Sequence, residues 1–110
     1  MNRIDLFTLL NSIIPTYSVG QLRGAIKQDL CILRRGVDLP SASNSLGHWD
    51  NWYIDIYSPH SVSNIDNIIN NIKEILSECA EIQSMHGGDY YDDVLRAFSN
   101  TISVRIPNTY

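Results

Sequence analysis

Between positions 49 and 79 the hydrophobic pattern of this chain changes its period once. Trp52, Ile54 and Ile56 alternate with Tyr53, Asp55 and Tyr57, the period of two that marks a half-buried strand. The run 58–61, Ser-Pro-His-Ser, breaks the alternation. Ile65, Ile68, Ile69, Ile72, Ile75, Leu76 and Cys79 then recur at the spacing of one helix face. The pattern predicts a strand feeding a long helix over 62–81, with no glycine-rich phosphate loop between them. Ser61 or Ser63 is positioned to cap that helix, with Asp66 at the capping-box offset from Ser63. Asn64, Asn67, Asn70 and Asn71 sit within it, and Asn competes for the backbone, so the helix must owe its stability to packing.

The rest of the chain supplies fewer and weaker periods. Phe7, Leu10, Ile13 and Ile14 give a short helical stripe over 2–14, with Asn2 as its cap, Asp5 in its first turn and Pro15 as its stop. The interval 17–26 has Gly20 and Gly24 and suits a turn or an irregular strand. A strand over 27–35 carries Leu30, Ile32 and Arg34 on one face and Cys31 and Leu33 on the other. Apolar residues on both faces place it centrally in a sheet. The loop at 36–48 holds Val37, Leu39 and Leu46 among Ser, Asn and Gly, and loops of that length are usually functional or mobile. The strands flanking it are consecutive and therefore expected to be antiparallel. A strand over 82–85, a His86-Gly87-Gly88 turn, and an acidic, aromatic run at 89–93 follow. The final strand runs from 98 to 106, with Phe98, Ile102, Val104 and Ile106 on one side and Pro107 ending it. The whole reads as one α+β domain over 1–110. It has a mostly antiparallel sheet of about four strands, with the short N-terminal helix and the long helix packed on one face.

Charge and composition narrow the function. Eight Lys and Arg against twelve Asp and Glu give a net charge of −4, without the basic footprint of a nucleic-acid binder. No run approaches the ~20 apolar residues needed to span a bilayer. Met1-Asn2-Arg3-Ile4-Asp5 leads into an amphipathic pattern containing an acid, so no secretory signal is expected. Cys31 and Cys79 read as small buried hydrophobes of a reducing compartment, with a disulfide between them as the minor alternative.

Candidate chemistry is sparse. His48, His60 and His86 do not pair at ligand spacing, and no Cys-x-x-Cys occurs. Asp89, Asp92 and Asp93 lack the spacing of a calcium loop. No nucleophile motif of Ser or Cys with a His on a turn is visible. No catalytic residue, cofactor or metal is assigned. The candidate functional residues are instead those of a protein interface. Arg34 and Arg35 could pair with carboxylates of a partner, or end a strand in solvent. Leu39 and Leu46 lie in the long loop. Trp49, Tyr53, Tyr57, Tyr90 and Tyr91 are aromatics of the kind enriched at interfaces; they either face a partner or lie under the loop or a second helix. Asp92 and Asp93 complete the set.

In its order of elements the chain resembles the tail terminator (tail-to-head joining) proteins of long-tailed bacteriophages. The matching parts are the helix over 2–14, the strand over 29–34 before a long loop, and Trp52-Tyr53-Ile54-Asp55-Ile56-Tyr57 leading into the helix. The acidic run Asp89-Tyr90-Tyr91-Asp92-Asp93 before the last strand matches too. The resemblance implies an α+β protomer of a homo-oligomeric, typically hexameric ring. Such a ring caps the tail tube, stops its polymerisation and docks on the head. Its implied partners are other copies of itself, the tail tube protein and a head-completion or neck protein, with no membrane and no specific nucleic acid. The implied location is the virion neck, reached from the host cytoplasm. Another neck component is the nearest alternative. A small cytoplasmic binding module, using the acidic loop and its aromatics for a peptide or small ligand, is the alternative of a different class.

Overall fold

A computed structural model describes residues 3–22, 24–36, 48–77, 81–84 and 89–108, without the side chains of 48, 49, 81–84, 107 and 108. The chain is α+β, with helices α1 (Arg3–Asn11) and α2 (Val62–Leu76). Its strands are β1 (Thr16–Ser18), β2 (Leu30–Arg35), β3 (His48–Ser58), β4 (Glu81–Ser84), β5 (Tyr90–Asp92) and β6 (Ala97–Asn108). They form a six-stranded sheet in the order β1-β2-β3-β6-β4, with β5 also paired to β6. Only β1–β2 is parallel; the other pairings are antiparallel.

The expected class is therefore present, with more strands than the expected four or so. The additional ones, β1 and β5, are three residues each, too short to show an alternation. The expected hairpin of consecutive antiparallel strands is β2–β3, in which Cys31 faces Ile56, Leu33 faces Ile54 and Arg35 faces Trp52. The loop residues Leu39 and Leu46, the Asn2 cap, Cys79, Met85 and the turn at 86–88 lie outside the described residues.

Strand alternation sorts the sheet into two faces. Cys31, Leu33, Trp52, Ile54, Ile56, Ile102, Val104 and Ile106 point to one side and are buried against both helices. From α1 come Leu6, Leu10 and Ile14; from α2 come Ile65, Ile72 and Leu76. Each such side chain, fully buried, contributes about 1.5–3 kcal/mol. The stripe of α1 therefore runs through Leu6, not through Ile13, which is 40% exposed. The helix itself stops at Asn11, whose side-chain oxygen accepts from the Thr16 amide at 3.0 Å, and one more turn carries Ile14 inward.

The long helix is capped by Ser61, whose Oγ accepts from the Asn64 amide at 3.2 Å, so Asp66 does not occupy a capping-box position. It ends at Leu76, short of 81, because Glu81 belongs to β4. Pro107 likewise does not end the last strand, which continues to Asn108. The bond from the Gly36 amide to the Asn51 carbonyl turns Asn51, and by alternation Trp49, toward β2, so Pro107 opposite Trp49 lacks an N–H that would point away from β3.

A buried latch joins β3, α2 and the entry to β2. The hydroxyl of Ser58, fully buried, donates to Asp29 Oδ1 at 2.5 Å and accepts from the His60 amide at 3.2 Å. Asn64 Nδ2 donates to the other Asp29 oxygen at 3.2 Å. Asn64 thus exchanges a few tenths of a kcal/mol of helix propensity for a bond between elements.

Candidate interface on the open sheet face

No helix covers the second face of the sheet among the described residues. Alternation along β3 places Tyr53, Asp55 and Tyr57 there, opposite Arg34, Ile32 and Leu30 of β2 and Ser103, Thr101 and Ser99 of β6. The outward direction expected for the β3 residues is what the fold gives them.

The middle of this face is a fixed polar array. Arg34 Nε donates to Asp55 Oδ2 at 2.7 Å, and its Nη2 donates to Oδ1 at 3.3 Å. Thr101 Oγ1 donates to the same Oδ1 at 2.6 Å. The guanidinium also lies over the Tyr53 ring, 4.5 Å from its centroid. The side chain of Asp55 is 13% exposed and that of Arg34 41%, so the pair is a plate with a shielded carboxylate and a partly exposed guanidinium. The bond to Asp55 raises the guanidinium pKa above its ordinary value. Gly36 lets the chain pass this plate: a Cβ there would stand 3.0 Å from Tyr53 Cε2 and 3.2 Å from the Asn51 carbonyl oxygen.

One end of the face is closed by a second, smaller core. Ile26, Leu30 and Ala97 are buried there, with Tyr17, Leu22, Ile32, Tyr57 and Leu95 packed against them. The Ile26 amide donates to the Leu95 carbonyl at 2.8 Å, tying the 24–28 segment to the hairpin that precedes β6. Tyr57 belongs to this covered end; burial first, and then the Asp55 charge, push its hydroxyl pKa up. Of the two β3 tyrosines, Tyr53 therefore belongs to the open array.

Beyond that core the β5–β6 hairpin projects. Tyr90 is 54% and Tyr91 48% exposed, and Tyr91 meets Phe98 edge-on at 5.1 Å. Asp92 builds the turn, its Oδ1 accepting from the Val94 and Leu95 amides at 2.9 Å. Asp89 accepts from Asn100 Nδ2 at 2.9 Å, while Asp93 is exposed. Arg96 closes the turn with φ +54°, in the left-handed region.

Arg34 and Arg35 do not act as one patch. Neighbouring residues of a strand point to opposite faces, and Arg35 lies on the helix side, over Trp52 at 5.3 Å and 3.5 Å from Asp50 Oδ1. Arg3 approaches the same indole from α1 at 5.1 Å. Both arginines of the pair thus reach carboxylates of this chain. Trp49 lies in β3, but its side chain is outside what the structure describes, and Leu39 and Leu46 are outside it altogether.

Cys31 is a free, buried thiol 3.3 Å from Thr16 Oγ1, and burial pushes its pKa up to about 11. His60 is exposed, and no group of three His, Cys, Asp or Glu suited to a metal occurs among the described residues. No helix among them is long and apolar enough to cross a membrane. A shallow cleft of about 370 Å³ lies between α2 and β6, lined by Asp66, Ile69, Asn70, Lys73, Asn100 and Ile102.

Sequence reasoning did not single out Thr101 or the pairing of Asp55 with Arg34. The signal was present only as parity: Arg34, Asp55 and Thr101 are outward positions of three strands, and only the register brings them together. In comparisons with known proteins, no family model matches the chain and no curated protein matches it in sequence.

Proposed function

We propose that this chain is a structural subunit of virion assembly, a ring-forming tail terminator that caps the tail tube, stops its polymerisation and joins the tail to the neck. The observation that carries the reading is the one-sided sheet. Both helices pack on one face, and the other presents Arg34, Tyr53, Asp55 and Thr101 as a fixed, partly exposed plate. Arginine and tyrosine are enriched where proteins meet, and a plate already held by internal bonds loses little side-chain freedom on docking. The hairpin carrying Tyr90 and Tyr91 adds exposed aromatic area beside it. The likeness of element order to tail terminators supplies the particular assembly. Such a role needs an interface that closes by rotation and no catalytic group.

Negative-stain electron microscopy of the purified chain, alone and mixed with tail tubes, tests this. Rings, or discs seated on one end of the tubes, are the expected images. Tubes with bare ends beside a protein that stays monomeric would contradict the proposal. The cleft between α2 and β6 favours the binding-module alternative, because Asn100 both lines it and holds Asp89 of the acidic segment. A small ligand that shifts the signals of Ile69 and Asn100, in a protein that ignores tubes, would select that alternative.

A further inference from the structure

One margin of the sheet is β1, a strand of three residues that pairs, among the described residues, with β2 alone. An edge of this kind normally exposes a row of main-chain donors and acceptors on which another strand can build. The register shows which groups those are. Cys31, opposite Thr16, donates its amide to the Pro15 carbonyl at 3.0 Å. In a parallel pair that bond turns Pro15 and Tyr17 toward β2 and directs the main chain of Thr16 and Ser18 outward. Three of those four outward groups are nevertheless bonded within the chain. The Thr16 amide donates to Asn11 Oδ1 at 3.0 Å, and the Ser18 amide donates to Gln21 Oε1 at 2.6 Å. The Ser18 carbonyl accepts from the Gln21 amide at 3.2 Å.

The two caps reach the strand from opposite directions. Asn11 is the last residue of α1, and its side chain reaches forward across the bend that leads to β1. Gln21 is folded back by a tight turn in which Gly20 takes φ +88°, a conformation that favours glycine. Its amide and its side-chain oxygen hold both polar groups of Ser18, as a residue of a neighbouring antiparallel strand would. Asn11 and Gln21 are exposed, so the packing of their own side chains does not account for where they sit.

We propose that Asn11 and Gln21 guard the β1 edge, closing it to strand addition by a second copy of this chain. The inference goes beyond the ring reading and does not depend on it. With both caps removed, the geometry admits β1 of another copy, running antiparallel. Thr16 of each copy would then exchange two main-chain bonds with Ser18 of the other, joining the two sheets edge to edge about a two-fold axis at Tyr17. With the caps in place, an incoming strand must first break the bonds to Asn11 and Gln21.

Amide hydrogen exchange and sedimentation velocity over a range of concentrations test this, comparing the wild type with a variant carrying both Asn11→Ala and Gln21→Ala. Alanine at the end of α1 is a better helix former than asparagine, and Gln21→Ala keeps the main-chain turn, so the variant is expected to fold, as circular dichroism checks. In dilute solution its Thr16 and Ser18 amides are expected to exchange about tenfold faster than in the wild type. As the concentration rises, it should associate about tenfold more tightly than the wild type, and the two amides should regain protection. Gln21→Ala alone leaves α1 untouched and should speed exchange at Ser18 but not at Thr16. Asn11→Asp and Gln21→Glu keep an acceptor oxygen and should behave as the wild type in both measurements. A folded double variant whose two amides exchange at the wild-type rate would overturn the proposal. So would faster exchange with no added association, or association that leaves the two amides unprotected. Images of wild-type protein on tail tubes bear on the ring reading alone, and these variants bear on the β1 edge alone.

Discussion

Asp55 is the residue on which the open face depends. It accepts two bonds from Arg34 and one from Thr101, all on a carboxylate that is mostly shielded from water. Asp55→Ala leaves Arg34 without its anchor and is expected to cost about 1–2 kcal/mol by urea denaturation, a figure reduced because the guanidinium is partly solvated. Thr101→Val removes one of the three bonds and should cost about 1 kcal/mol. Cys31 gives the fold a pH dependence on the alkaline side. Its thiol keeps its proton in the folded state up to about 11 but ionises near 9.0 when exposed. Its contribution is therefore complete below pH 9.0 and is lost as pH rises toward 11, by an amount on the order of 2 kcal/mol. Thermal melts across that range should show a steeper decline for the wild type than for Cys31→Ala.

Among the elements, those with a long period were legible in the sequence and those held by distant partners were not. The alternation of Trp52, Ile54 and Ile56 and the isoleucine stripe of α2 appear as read, because each repeats often enough to define a face. The two-faced apolar content of β2 was also legible, and the reason is now concrete. Cys31 and Leu33 enter the main core, while Leu30 enters the smaller one on the other side. What stayed hidden was short or non-local. The strand β1 is three residues beside a parallel partner, and Tyr90–Asp92, an acidic, aromatic run ill suited to burial, pairs with β6 while both tyrosines stay about half exposed. The latch of Asp29, Ser58 and Asn64 spans positions that no local motif links. Three substitutions separate these contributions. Ser61→Ala should cost about 1 kcal/mol through the lost cap. Ile72→Asp should abolish folding, since it sets an unpaired charge in the main core, whereas Ile69→Asp, on the half-buried margin beside the open cleft, should leave a folded but weakened protein. Circular dichroism and a urea titration of the three variants check the order.

At the scale of the whole molecule, the distribution of covered and uncovered surface sets the account. One face of the sheet is sealed by α1 and α2, and a small core closes one end of the other. The polar plate around Asp55 and the tyrosine hairpin remain uncovered among the described residues. A molecule so divided is suited to sit between neighbours in an assembly. The length of tail tubes polymerised in the presence of increasing amounts of the chain tests that role most directly. Growth is predicted to stop at amounts far below the tube subunit concentration, leaving short tubes with a cap on one end. Tubes that reach the same length distribution at every concentration of the chain would contradict it.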